Sequence, residues 1–94
     1  MNENYIVVRP RLHPDFELPQ KAELLKIRQG DSVKLMFQAG NDTVERMWVT
    51  VTDCSDDDQW TGAVDSEAIQ EHTADILPVG KRVTFHPLDI IAIY

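Results

Sequence analysis

Two stretches of this chain alternate apolar and polar side chains with a period of two, and a turn signal separates them. In SVKLMFQ, Val33, Leu35 and Phe37 alternate with Ser32, Lys34 and Gln38. In ERMWVTVTD, Met47, Val49 and Val51 fall on one side and Arg46, Trp48, Thr50 and Thr52 on the other. Alternation of this kind is the signature of half-buried strands. The intervening AGND holds Gly40, which tolerates positive φ, with Asn41 and Asp42, which favour turns. The pair therefore predicts an antiparallel hairpin with one apolar face. A sheet that hides one face this way has to curl over a core or receive a helix.

The rest of the chain supplies both. Tyr5–Val8 reads as a first strand that ends at Pro10, and the proline-rich RPRLHPDFELP reads as an extended connector. PQKAELLKIRQG predicts a short helix, with Pro19 at its first position and Gly30 just past its end. Ala22, Leu24 and Leu25 supply its apolar face, and Lys26 and Arg28 suit its C-terminal dipole. After ERMWVTVTD, SDDD is a loop, because aspartate is disfavoured in strands and favoured in turns. QWTGAVD is then a third strand of the sheet with Trp60, Gly62 and Val64 on one face, Gly62 marking a bulge or a close approach of backbones. SEAIQEHTADIL reads as a helical turn or irregular crossover, and PVGKRVTF as a turn and a fourth strand with Val83 and Phe85 inward. His86-Pro87 ends that strand, and Leu88, Ile90, Ile91 and Ile93 are too apolar for a free tail.

At 94 residues the chain is expected to be a single domain, 1–94, divided into an N-terminal strand and connector, 1–18, and a helix-plus-sheet body, 19–94. The fold class is α+β: a small, strongly bent antiparallel sheet of four to five strands, open or closed into an SH3-like barrel, with one or two short helices. The N-terminal MNENYIVVRPRL lacks a basic start followed by a long apolar run, and no apolar run reaches the length of a membrane span. One cysteine, Cys54, offers no internal disulfide and no zinc pair. The cytoplasm is the expected compartment.

The charge is −7 overall, and its placement is uneven. Residues 1–46 carry seven acids and seven bases, and residues 81–94 carry Lys81 and Arg82 against Asp89. Residues 47–80 carry eight acids (Asp53, Asp56, Asp57, Asp58, Asp65, Glu67, Glu71 and Asp75) and no base. Like charges that close repel unless they lie in water or meet a positive surface. Nucleic acid is a poor partner, because a binder must neutralise phosphates with Lys and Arg. An anionic membrane surface is disfavoured for the same reason. A basic protein surface fits, with charge acting on association rate and partner choice more than on affinity. The plain alternative is that the acids keep a small protein soluble.

Candidate chemistry is sparse. Asp56, Asp58 and Glu67 match three ligand positions of a twelve-residue calcium loop, but Trp60 and Thr61 stand where a ligand and the turn glycine belong. Cys54 with His72 or His86 lacks any flanking nucleophile signature and reads as a turn cysteine. His13, His72 and His86 lack paired-ligand spacing, and the four glycines are isolated from one another, so no metal, phosphate loop or cofactor is expected. Trp48, placed by alternation away from the aliphatic face, is either an exposed interface anchor or packs beneath the Pro19–Arg28 helix. Trp60 reads as core.

The blocks GDSVKLMFQ, ERMWVTVTD, WTGAVDSE and LPVGKRVTFHPLDI resemble a group of small bacterial domains of unknown function that includes the YegJ-like proteins. The resemblance spans about Gly30 to Ile91, and Met47–Thr52, MWVTVT, is its most specific part. The third block departs from the group, with AVDSE in place of the commoner LDNxP. A related family occurs in polymorphic-toxin loci as immunity proteins. The resemblance thus implies the α+β fold and a lean toward antagonist binding, and it carries no enzymatic activity. Together these readings predict a non-enzymatic protein-binding module, most concretely a bacterial immunity protein that neutralises a basic toxin domain. Trp48, Asp56, Asp57, Asp58, Asp65 and Glu67 are its expected contact residues. The alternative is a housekeeping regulatory or scaffold accessory protein.

Overall fold

The computed structural model describes residues 4–10 and 18–94, so most of the proline-rich connector lies outside the described residues. Among the described residues, six strands and two short helices follow in the order β1 (Tyr5–Val8), α1 (Lys21–Leu24), β2 (Ser32–Ala39), β3 (Glu45–Asp53), β4 (Trp60–Val64), α2 (Glu71–Ile76), β5 (Arg82–Phe85) and β6 (Ala92–Ile93). A 3-10 turn, Pro87–Asp89, precedes β6. The sheet is an antiparallel meander in the order β1-β2-β3-β4-β5. β1 pairs with Met36–Ala39 of β2, and β6 pairs with Val33 and Lys34, so the two share one edge of β2 end to end. The sheet is strongly curled into a half-barrel. Among the described residues β5 and β1 do not pair, so the curl stays open rather than closing as an SH3-like barrel would.

The predicted hairpin is present with its two apolar rows in register: Val33 faces Val49 and Leu35 faces Met47. Val33, Leu35, Phe37, Met47, Val49 and Val51 are all buried, and the alternate residues of both strands point outward or are half-buried. Trp60, Gly62 and Val64 continue the same inner face in β4, and Val83 and Phe85 in β5. Leu24, Ile27, Leu77 and Ile90 close the concave side. Gly62 is a point of close approach. A Cβ there would lie 2.4 Å from Val49 Cγ1 and 2.7 Å from the Thr50 carbonyl oxygen. β3 also slips register between Val51 and Asp53, directly beside this glycine, so the sheet bends where it has no side chain.

The first helix differs from expectation. It is a single turn whose N-cap is Gln20, with Pro19 one residue outside it, and the Glu23 carboxylate accepts the Gln20 N–H at 3.0 Å. Leu24 and Ile27 face the core while Ala22 and Leu25 face outward. One turn has no intrinsic stability, so packing selects the side chains that point inward, and the Leu24/Ile27 spacing suits one turn pressed onto a sheet. The chain leaves this turn through Asp31, whose carboxylate accepts the Arg28 N–H at 2.9 Å, and through Gly30 at φ 97°.

The second helix is held from a distance. Asp42, in the β2–β3 turn, accepts both the backbone N–H (3.1 Å) and the hydroxyl (2.7 Å) of Thr73 in the first turn of α2. Glu45, the first residue of β3, accepts the Ile69 N–H at 2.7 Å and the Gln70 N–H at 3.0 Å. The Gln70 side chain returns the contact, donating to Glu45 at 3.0 Å and to the Thr43 carbonyl at 2.7 Å. Two carboxylates thus satisfy amide donors that a helix start leaves without intrahelical partners. Burial alone would raise the Glu45 pKa. The hydrogen bonds from Ile69 and Gln70 outweigh it and hold the group below its ordinary value of 4.5. At the opposite corner, Arg9 bonds the buried Asp89 at 2.6 Å, and Asp89 also accepts the His86 N–H at 2.9 Å. That pair ties the end of β1 to the 3-10 turn.

Candidate functional site

The six expected contact residues fall into two groups. Asp56, Asp57 and Asp58 occupy the loop that enters β4, while Asp65 and Glu67 follow its exit. The five residues of β4 separate the groups, about 13 Å between its end Cα atoms at ~3.3 Å per residue. The excess of acid is therefore not one continuous surface, although all five carboxylates are exposed. The same strand runs through the middle of the stretch that matched a calcium loop, so Asp56 and Glu67 lie at its opposite ends. Among the described residues no three His, Cys, Asp or Glu side chains gather as metal ligands do.

Trp48 belongs with the second group. Its N–H donates to Ser66 Oγ at 2.9 Å, and its carbonyl accepts the Asp65 N–H at 2.9 Å. Its ring lies on the outer face, opposite Leu24 and Ile27, which excludes packing beneath α1. The Lys34 ammonium stands 4.8 Å from its centroid and Tyr94 meets it edge-on at 5.9 Å. The indole is thus half-covered by neighbours of its own sheet, a cation–π contact included. Asp65 accepts from the Thr50 hydroxyl at 3.3 Å on the same face.

The first group sits in a more defined setting. The Asp56 carboxylate accepts the N–H groups of Asp58 (2.8 Å) and Gln59 (3.1 Å), which fixes the loop as an Asx-type turn. Those two amide donors, Asp58 first and Gln59 second, hold Asp56 below the ordinary carboxylate range. Asp53 is lowered in the same way, by the Ser55 N–H and then the Ser55 hydroxyl. The Trp60 indole N–H donates to the Asp56 carbonyl at 2.7 Å, so the loop is bolted to the core strand beneath it. Asp58 lies 3.6 Å from His86 Nε2. The loop backbone is thus fixed above a tryptophan by the Asp56 carboxylate and carbonyl, and the side chains of Asp56, Asp57 and Asp58 are exposed.

Beside this loop a groove of about 660 Å³ runs between α1 and the 3-10 turn. Its floor is buried and apolar: Leu24, Ile27 and Trp60. Its lips carry Leu25 and Leu88, 73% and 55% exposed. Asp56 and Asp57 line one side, and Lys21 and Arg28 line the α1 side. Cys54 also lines it, half-buried, with its sulfur 3.8 Å from the Ile27 carbonyl, as a turn cysteine would be. An exposed leucine is ordinary on a protein surface. Two on facing lips of an apolar groove with a tryptophan floor are a different matter, because they extend one apolar surface. Sequence reasoning missed this groove. Periodicity alone puts Leu25 on the buried face of a longer helix, and nothing in the sequence says that Leu88 lines the same groove.

No helix among the described residues is long and apolar enough to cross a membrane. No protein-family profile, curated protein or solved structure matches the chain. The resemblance carried by Gly30–Ile91 therefore rests on its sequence motifs alone.

Proposed function

We propose that this chain is a non-enzymatic protein-binding module whose partner presents a basic surface to the Asp56–Asp58 loop. The observation that carries the reading is the loop itself. Its backbone is fixed by Asp56 and by the Trp60 indole, and its carboxylates project from the fold. Preorganised charge of this kind raises encounter rates and rejects acidic partners. Within this class, the sequence resemblance favours an immunity protein that occupies the positive cleft of a toxin domain, with carboxylates standing where phosphates would lie. Asp65 and Glu67, at the far end of β4, contribute to the field at longer range, and Trp48 beside them supplies an apolar contact. A housekeeping scaffold role uses the same surface with a different partner and is distinguished by the partner's identity.

The test is affinity capture from the source cell, followed by binding kinetics of the purified pair. The expected partner is basic, and for the immunity form it is encoded immediately upstream. Its association rate falls as salt rises, and Asp56→Asn/Asp57→Asn/Asp58→Asn slows association more than Asp65→Asn/Glu67→Gln does. An acidic partner, or one indifferent both to salt and to the triple variant, contradicts the reading. An unrelated upstream gene removes the immunity form and leaves the broader one.

A further inference from the structure

We infer that His86 is a pH-driven switch that exchanges its cap on the 3-10 turn for an ion pair with the acidic loop. The ring is engaged on both sides. Its Nδ1 accepts the Leu88 N–H at 2.9 Å, and its Nε2 stands 3.6 Å from a carboxylate oxygen of Asp58. A nitrogen that accepts carries no hydrogen, so the cap requires the neutral ring with its proton on Nε2. Protonation adds a hydrogen to Nδ1 and aims it at the Leu88 N–H, donor against donor. The imidazolium therefore has to leave the cap. Asp58 stands beside it, too far at 3.6 Å for a hydrogen bond but within ion-pair range. Histidine is the side chain whose charge changes near neutral pH, so mild acid is enough to drive the exchange.

Among the described residues, the charged groups around the ring come from three places. Asp58 belongs to the β3–β4 loop, and Asp56 and Asp57 of that loop line the groove that His86 also lines. Lys21 of α1 and Arg28 beyond its end line the same groove. In the ring's own turn, Asp89 accepts the His86 backbone N–H at 2.9 Å and holds Arg9 at 2.6 Å. That bond uses the backbone of His86, so it survives the ring's departure. The turn stays tied to β1 while it loses its cap. The His86 side chain is 29% exposed and that of Asp58 85%, so the ring is largely enclosed and the carboxylate has room to close on it. A cation joined to Asp58 offsets one of the three charges of the loop. On the protein-binding reading, on which this consequence rests, association with a basic partner slows in mild acid.

The experiment follows the whole chain by NMR from pH 8 to pH 5, above the ~3.9 at which ordinary aspartates titrate. Side-chain nitrogen shifts of His86 report its tautomer, and amide shifts and exchange report the turn and the loop. At pH 8 the ring should be a single tautomer with Nδ1 bare. The Leu88 amide should titrate with the same midpoint as the ring, its protection falling about three- to tenfold, the ratio that one neutral hydrogen bond sustains. The Asp58 amide should move with that midpoint too. His86→Asn keeps a side-chain oxygen able to accept an N–H two residues on but has no proton to gain, so its Leu88 and Asp58 amides should stay flat. Asp58→Asn should keep the Leu88 response and remove that of the loop. A ring that carries its proton on Nδ1 at pH 8 overturns the inference, as does a Leu88 or Asp58 amide that ignores the ring's midpoint. So does an equal response in His86→Asn, or a loop response that persists in Asp58→Asn. The measurement needs no partner, so a failed capture of a basic protein leaves it intact, and a ring that does not switch leaves the loop's role in binding standing.

Discussion

Replacing Glu45 by glutamine takes one acceptor oxygen and one charge from a buried site where three N–H donors converge. Ile69 N–H, Gln70 N–H and the Gln70 amide all donate to this carboxylate, at 2.7, 3.0 and 3.0 Å. Hydrogen bonds to a charged acceptor contribute about 1.5–3 kcal/mol each and neutral ones about 0.5–1.5 kcal/mol. In Glu45→Gln the new NH2 faces donors, so at least one bond is lost and the others weaken to the neutral range. The bonds share one network and do not add, which leaves a cost of about 2–3 kcal/mol. For a domain near 100 residues that lowers Tm by roughly 10–20 °C. The pH dependence is a second readout. Because the folded pKa lies below 4.5, the ionised group stabilises the fold above that value, and the stability is lost as pH falls through the folded pKa. Urea unfolding followed from pH 7 downward should therefore show the gap between wild type and variant narrowing as pH falls through the folded pKa. A variant within ~0.5 kcal/mol of wild type at pH 7, with an unchanged acid limb, would refute the idea that β3 anchors α2 through this carboxylate.

Three further outcomes follow from local geometry. Gly62→Ala drives a methyl against Val49 and the Thr50 carbonyl, which cannot move without breaking the β3–β4 ladder, so the urea midpoint should fall by an amount equivalent to about 2–3 kcal/mol. A loss under ~0.5 kcal/mol would mean that the strands do not approach so closely there. Arg9→Ala leaves the buried Asp89 with the His86 N–H as a partner but without its guanidinium, and should cost about 1–2 kcal/mol, discounted for the exposed side of Arg9. Equal urea midpoints would remove the tie between β1 and the 3-10 turn. Trp60→Phe deletes the indole donor to Asp56, worth ~1 kcal/mol, and should speed hydrogen exchange at the Asp58 and Gln59 amides. Unchanged exchange would show that the loop is fixed without the tryptophan.

The central hairpin was legible because each of its strands hides a complete alternating row. Once Val33, Leu35 and Phe37 face inward, a one-residue slip of the pairing would turn Met47, Val49 and Val51 outward. Gly62 was legible as a close approach for a similar reason, being the one gap in an otherwise bulky row. The helices were read less well. α1 is too short for periodicity to distinguish Leu24 from Leu25, and the core makes the choice. α2 takes its N-terminal bonds from Asp42 and Glu45, residues that by themselves read as turn and strand-start polarity. Composition placed eight acids in one stretch of chain, but a strand through that stretch separates Asp56–Asp58 from Asp65 and Glu67 in space. The groove was invisible because its lips come from segments far apart in sequence.

In the proposed function, Asp56, Asp57 and Asp58 form a preset anionic contact for a basic protein. Stopped-flow association of the captured partner, at 50 and 300 mM NaCl, tests it most directly. The wild-type rate should fall about tenfold or more over that range, and the triple asparagine variant should start slow and lose most of the salt dependence. Matching rates for the two proteins at both ionic strengths would contradict the claim.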